Sequence, residues 1–354
     1  MRRPVRHART ALAAAGAAAA LLLATLTTPA QAQPQDSAAA PSYARTTSVG
    51  VHNAYEKDTY PYFADALDSG AALLELDVWT NSFGSGWRVA HDNPFGNDNN
   101  CENAASPGEL RSKPRNRSLG GCLADLRAWH EAHPGHRPVL LKVELKDGFN
   151  DKGGRGPDEF DALLARHLGD AVYGPGDLLT GRYATPDEAV RAGAWPGRDA
   201  LAGKFLFELI PGTVEESNPV DDLWTDREYA GHLRDLAAAG RLAEAGAFPA
   251  VHGAEPGDPR TARYAAELRP WFVFFDGDAR TYAGGGIDTG WYADRGYLLV
   301  MTSAHAVEPP IDAVHPTEQQ ARDRVAALAA AHASFATSAW APLPRVLALV
   351  LPRG

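Results

Sequence analysis

Glu75 and Asp77 stand two residues apart in the run LLELDVW, Leu73–Trp79. At strand spacing, side chains i and i+2 point to the same side, so the two carboxylates face one spot. The run is apolar on either side of the pair, as in a strand covered on both faces, where an unpaired carboxylate is costly. A cation or a strong donor is therefore expected between them. The polar turn Asn81–Gly86 then returns the chain through Trp87, Arg88 and Val89 to His91. Upstream, His52 and Asn53 close a β-branched run, Thr46–His52. Downstream, Glu144 sits between Lys142 and Lys146 around the strand PVLLKVEL, Pro138–Leu145, with all three on one face.

Asn53, Glu75, Asp77 and Glu144 form an all-oxygen set of high negative charge. Such a set suits a hard divalent cation better than zinc, and calcium better than magnesium. The competing reading pairs these acids with Lys142, Lys146 or Arg88. His52 and His91 facing each other across a cation would suit acid/base chemistry at phosphorus, one contacting the phosphoryl group and the other protonating the departing alcohol. The metal would neutralise charge and lower the pKa of the attacking hydroxyl. His130, His133, His136, His167, His232 and His332 fall in helices or at helix ends and read as structural or surface. His305 and His315 receive no assignment.

The elements that must hold these residues alternate. Strands are expected at Thr46–His52, Leu73–Trp79, Pro138–Leu145, Lys204–Ile210, Phe248–His252, Trp271–Asp276, Tyr297–Thr302 and Ser334–Trp340. Helices are expected at Phe63–Leu67, Leu123–Glu131, Asp158–Leu168, Pro186–Ala192, Asp226–Ala245, Thr261–Leu268 and Thr317–His332. This alternation predicts a parallel sheet with helical crossovers, and the number of units predicts a single-domain α/β fold, a (β/α)8 TIM-like barrel. In a barrel the chemistry gathers at the C-terminal ends of the strands. The polar residues fall there: His52 with Asn53, Glu75 with Asp77, His91, Glu144 with Lys146, Glu208, His252 and Asp276. Gly284–Gly286 opens no helix and reads as a loop, not a nucleotide site.

Residues 1–32 combine a basic start, an apolar run and the small-x-small sequence Ala30-Gln31-Ala32, the parts of a secretory signal peptide cleaved near Ala32. A flexible segment is expected over residues 33–45 and the catalytic barrel over 46–354. In an exported protein the two cysteines, Cys101 and Cys122, are expected to form a disulfide. A net charge of −10 argues against nucleic acid as a partner and against generic attraction to anionic membranes. Membrane contact would then be transient and local, with Trp79, Phe83, Trp87 and Phe95 as candidate rim residues. A monomer is expected.

HNAYE at His52–Glu56, LELDVW, the returning VAH and VLLKVELKD at Val139–Asp147 together resemble the X-half of the phosphoinositide-specific phospholipases C. The secreted, calcium-dependent bacterial branch is most similar, with Gly121–Asp147 and Ala189–Leu209 also alike. The resemblance implies Ca2+ held by Asn53, Glu75, Asp77 and Glu144, with His52 stabilising the phosphoryl transition state and His91 as general acid. Glu75 or Asp77 would take the proton from the inositol 2-hydroxyl. It further implies a phosphoinositide lipid substrate, cleaved to diacylglycerol and a cyclic inositol phosphate that water then opens. Lys142, Lys146 and Arg88 are the candidate substrate contacts. After Met301 the sequence departs from the family pattern: TSAHAVEPP stands where an arginine-rich segment is expected. The alternatives are a glycerophosphodiester phosphodiesterase, which shares the Glu-x-Asp strand but follows its first histidine with Arg-Gly, and a catalytically idle lipid- or calcium-binding barrel.

Overall fold

The computed structural model describes residues 41–80, 86–219 and 223–354. The expected signal peptide, residues 33–40 and Phe83 lie outside the described residues. Among the described residues there are ten strands: β1 (Thr46–Val51), β2 (Leu73–Trp79), β3 (Arg88–Val89), β4 (Val139–Leu145), β5 (Phe205–Pro211), β6 (Phe248–His252), β7 (Phe274–Asp278), β8 (Leu298–Thr302), β9 (Phe335–Ser338) and β10 (Val350–Pro352). β1, β2 and β4 to β9 pair in parallel, and the ring closes because β1 bonds both β2 and β9. The result is an eight-stranded barrel with helical crossovers, as the alternation predicts.

Closure depends on a small residue in β1. A Cβ added to Gly50 would come within 2.8 Å of both Leu73 Cβ on β2 and Thr337 Cγ2 on β9. Glycine lets the neighbouring strands approach from both sides. The antiparallel β3 extends the far end of β2, pairing Trp79 with Arg88 and Val78 with Val89. The antiparallel β10 lies along the start of β1.

Several sequence expectations need correction. Tyr43–Arg45, placed in a flexible segment, forms a 3-10 turn whose Tyr43 ring is buried against Trp195 and Phe335. The long helix expected over Asp226–Ala245 runs only Thr225–Ala238. Gly240, at φ 71°, turns the chain into the 3-10 segment Leu242–Glu244. The helix expected over Thr261–Leu268 is a single turn, Arg260–Arg263, and the strand expected from Trp271 begins three residues later, at Phe274.

The polar excursion after β3 is fastened to the barrel mouth. Asn100 Nδ2 donates to the carbonyls of Ala54 (3.0 Å) and Tyr60 (3.0 Å), pinning the segment that follows His52. One residue on, Cys101 bonds Cys122 in the helix Leu119–Ala132, as expected. Closing a loop of 21 residues is worth on the order of 3 kcal/mol.

Candidate active site

Register alone assembles the first layer of the site. Glu75 pairs with Lys142 and Lys142 with Glu208, so three neighbouring strands place charged side chains at one level of the barrel. One step nearer the C-terminal ends, Asp77 pairs with Glu144. Oxygens of Glu75, Asp77 and Glu144 lie within 4.8 Å of one another. Asn53 joins from the turn after β1, with a left-handed φ of 51° that asparagine tolerates better than most residues. Its main-chain N–H donates to Glu75 Oε2 at 3.2 Å.

Two lysines stand among these acids. Lys142 Nζ lies 2.9 Å from Asp276 Oδ2, on β7 across the barrel, and 3.3 Å from Glu75 Oε1. Lys146 Nζ lies 2.9 Å from Glu144 Oε1 and 3.4 Å from Asp77 Oδ2. Five carboxylates, those of Glu75, Asp77, Glu144, Glu208 and Asp276, thus face two ammonium groups. The imbalance is visible in their acidities. Burial and then the Glu144 and Glu75 charges push Asp77 well above the usual carboxylate range. Burial and the Asp276 charge do the same to Glu208. Burial would raise Glu75 as well, but Lys142, His52 and the Asn53 N–H hold it below its ordinary value.

The donor set fits a divalent cation. Among the described residues neither Asp77 Oδ1 nor Asn53 Oδ1 has a hydrogen-bond partner, and Asp77 Oδ2 has only the 3.4 Å ion pair with Lys146, although all three atoms are buried. Buried polar atoms are almost always satisfied, so two orphaned oxygens and one held only by a long ion pair, beside two further carboxylates, point to a missing positive charge. Oxygen-only ligation and excess negative charge suit a hard ion such as calcium.

Above this set a cavity of about 350 Å³ opens, lined among others by His52, Glu75, Lys142, Glu144, Thr213 and Asp276. His52 Nε2 stands 3.4 Å from Glu75 Oε2, with its side chain about half exposed. His91 and Arg88 do not line this cavity. His91 follows β3, its Nδ1 3.1 Å from Asp92 Oδ1, and neighbouring Ala90 donates its N–H to the Asp77 carbonyl at 3.2 Å. Burial raises the Glu56 carboxyl above its ordinary value, with His91 and His52 opposing the rise.

Of the expected rim, Phe95 is exposed. Trp87 instead packs on Phe149 and Phe160, and Trp79 donates its indole N–H to the Ala90 carbonyl at 2.8 Å.

Three cavity residues carry no role in the sequence reading. Asp276 and His252 were visible there only as polar residues at strand ends. Their relation to Lys142 and to Glu216, whose Oε1 lies 3.0 Å from His252 Nδ1, crosses between elements distant in sequence. The third is His305, on the loop after β8.

The model of the Ca2+-dependent phosphoinositide phospholipase C family matches residues 109–229. A solved Ca2+-dependent phosphatidylinositol-specific phospholipase C from Streptomyces antibioticus is 69% identical, covering 89% of this chain and 100% of its own, with a TM-score of 0.88. A calcium-dependent phosphoinositol-specific phospholipase C from a Gram-negative Pseudomonas shares the fold at 21% identity, covering 88% of this chain and 95% of its own, with a TM-score of 0.63. No curated protein matches significantly. With the acidic cluster at the barrel mouth and 69% identity across the whole of the Streptomyces enzyme, the chain belongs to the calcium-dependent phosphoinositide phospholipase C family.

Proposed function

We propose that the chain cleaves phosphatidylinositol to diacylglycerol and a cyclic inositol phosphate, which water then opens. The carrying observation is the cavity in which His52 meets Glu75 directly above the Glu75, Asp77 and Glu144 cluster. Asn53, Glu75, Asp77 and Glu144 would hold Ca2+, which when bound supplies positive charge beside the phosphate and acidifies a nearby hydroxyl.

The chain's own groups do the rest. Glu75 lines the cavity and is kept ionised by Lys142 and His52, so it, and not Asp77, which does not line the cavity, accepts the proton of the inositol 2-hydroxyl. The 2-oxygen forms its bond to phosphorus as the bond from phosphorus to the glycerol oxygen breaks. His52 donates to a phosphoryl oxygen, and the family resemblance makes His91, which stands outside the cavity lining, the group that gives its proton to the departing glycerol oxygen. Lys142, fixed between Glu75 and Asp276, stays protonated and holds Glu75 in place.

Export through residues 1–32, action as a monomer and transient membrane contact belong to the same proposal. No described helix is long and apolar enough to cross a membrane. Five large apolar side chains are exposed among the described residues: Phe95, Val214, Leu223, Val314 and Val350. Val214 and Val314 each follow a cavity-lining residue, Thr213 and Ala313, and Phe95 lies in the excursion after His91. For an acidic protein, an apolar rim is the means of contact that remains. Phe95→Ser with Val314→Ser should weaken sedimentation with phosphatidylinositol vesicles by about tenfold, on the scale of one or two buried side chains. Cleavage of a short-chain monomeric substrate should be untouched; an equal loss on both substrates would refute the rim.

The reaction itself is tested by phosphorus NMR on phosphatidylinositol and on glycerophosphoinositol, each with calcium and with chelator. A calcium-dependent cyclic inositol phosphate from the lipid is expected. Glycerol phosphate formed only from the deacylated diester would favour the phosphodiesterase alternative. Silence on both would leave an idle barrel.

A further inference from the structure

The β8 side of the cavity carries a third imidazole that the chemistry above does not use. Ser303, directly after β8, takes a left-handed φ of 53°, unusual outside glycine. It turns the chain into the short 3-10 segment Ala304–Ala306, which presents His305 to the cavity beside Thr302 and Ser303.

Ser338, at the end of β9, fixes that imidazole. Its Oγ donates to the Ala313 carbonyl at 3.1 Å, and a hydroxyl has one proton, so at its 3.0 Å contact with His305 Nδ1 it must accept. This network assigns the His305 proton to Nδ1 and leaves the lone pair on Nε2. Among the described residues nothing hydrogen-bonds Nε2. Burial, and then His52, Arg280 and Arg324, oppose a second proton more than Asp278 favours it, so the ring is held neutral. The same Ser338 accepts the His52 main-chain N–H on its carbonyl at 3.1 Å, which sets the two histidine-bearing segments side by side.

An imidazole nitrogen with a lone pair accepts an O–H and repels a phosphate oxygen. We propose that His305 reads the headgroup ring, accepting through Nε2 a hydrogen bond from one of its hydroxyls. The proposal rests on the headgroup assignment made above. It divides the cavity wall: His52 faces the anion, and the β8 loop faces the polyol. The segment TSAHAVEPP, where the sequence leaves the family pattern, then carries a contact of its own.

The test measures kcat and KM on short-chain monomeric phosphatidylinositol, and the inhibition constant of free myo-inositol, for wild type, His305→Ala, His305→Gln and Ser338→Ala. In His305→Ala, KM and the inhibition constant should rise together by about tenfold, the scale of one hydrogen bond between uncharged groups, while kcat changes much less. His305→Gln, whose amide oxygen can accept, should recover much of the loss. Ser338→Ala should move both constants in the same direction by less. An active wild type with both constants unchanged in His305→Ala would overturn the proposal. So would a loss confined to kcat, which would make His305 a proton-transfer group. A wild-type enzyme inert on phosphatidylinositol, but folded and binding calcium, would overturn the headgroup assignment itself and this proposal with it.

Discussion

His52→Ala and His91→Ala should each lower kcat by about 10²-fold or more, the usual worth of a positioned acid or base. Neither imidazole is buried: about half of the His52 side chain and two fifths of the His91 side chain are exposed. Melting temperatures should therefore stay close to wild type, and a folded but slow enzyme is the expected result. The two losses should differ in kind. A general acid matters only while the leaving group needs a proton, so a phosphodiester with an acidic leaving alcohol should rescue His91→Ala. His52→Ala, having lost a donor to the phosphoryl group itself, should not be rescued. Near-wild-type turnover in both variants would remove the histidines from the mechanism. Rescue of His52→Ala alone would exchange their roles.

Asp77→Asn should raise the calcium concentration for half activity by about 10²-fold, since affinity of such oxygen sites follows the number of charged ligands. Turnover at saturating calcium should largely return, because Glu75 lines the cavity and Asp77 does not. The substitution keeps shape and removes a charge crowded by Glu75 and Glu144 within 4.8 Å. In chelator the variant should therefore melt no lower than wild type. In calcium the order should reverse: a ligand at a hundred times its Kd adds about 2.7 kcal/mol to the form that binds it. An unchanged calcium requirement, with lower stability in chelator, would mean that Asp77 is there to pair with Lys146.

The strands that carry the site were the most legible part of the chain. LLELDVW and VLLKVEL show their period directly, and the pairing of Asp77 with Glu144 follows once they are neighbours. Connections were read less well. Gly240 divides an apparent twenty-residue helix, and the turn at Arg260–Arg263 stops where Tyr264 becomes extended, its hydroxyl bonded to Asp226 and its ring stacked on Phe272. β10 is three residues long and has no period to detect. Both predictions for the acids had substance: Lys142 and Lys146 do pair with them, yet the two cations cannot balance the set. That excess was not readable beforehand, because Asp276 and Glu208 enter from strands whose sequences give no sign of which charges they will face.

The charged level formed by Glu75, Lys142, Glu208 and Asp276 has a consequence for how this barrel can change over time. Barrel interiors are ordinarily filled by branched aliphatic side chains. Here the middle of the barrel is held together by ion pairs whose desolvation offsets most of their attraction. An apolar residue in place of Glu208, which has no hydrogen-bond partner for either oxygen, would raise heat resistance. Selection for endurance alone would collect such changes, and selection for turnover would discard them, so the interior composition of a descendant would tell which pressure it had met.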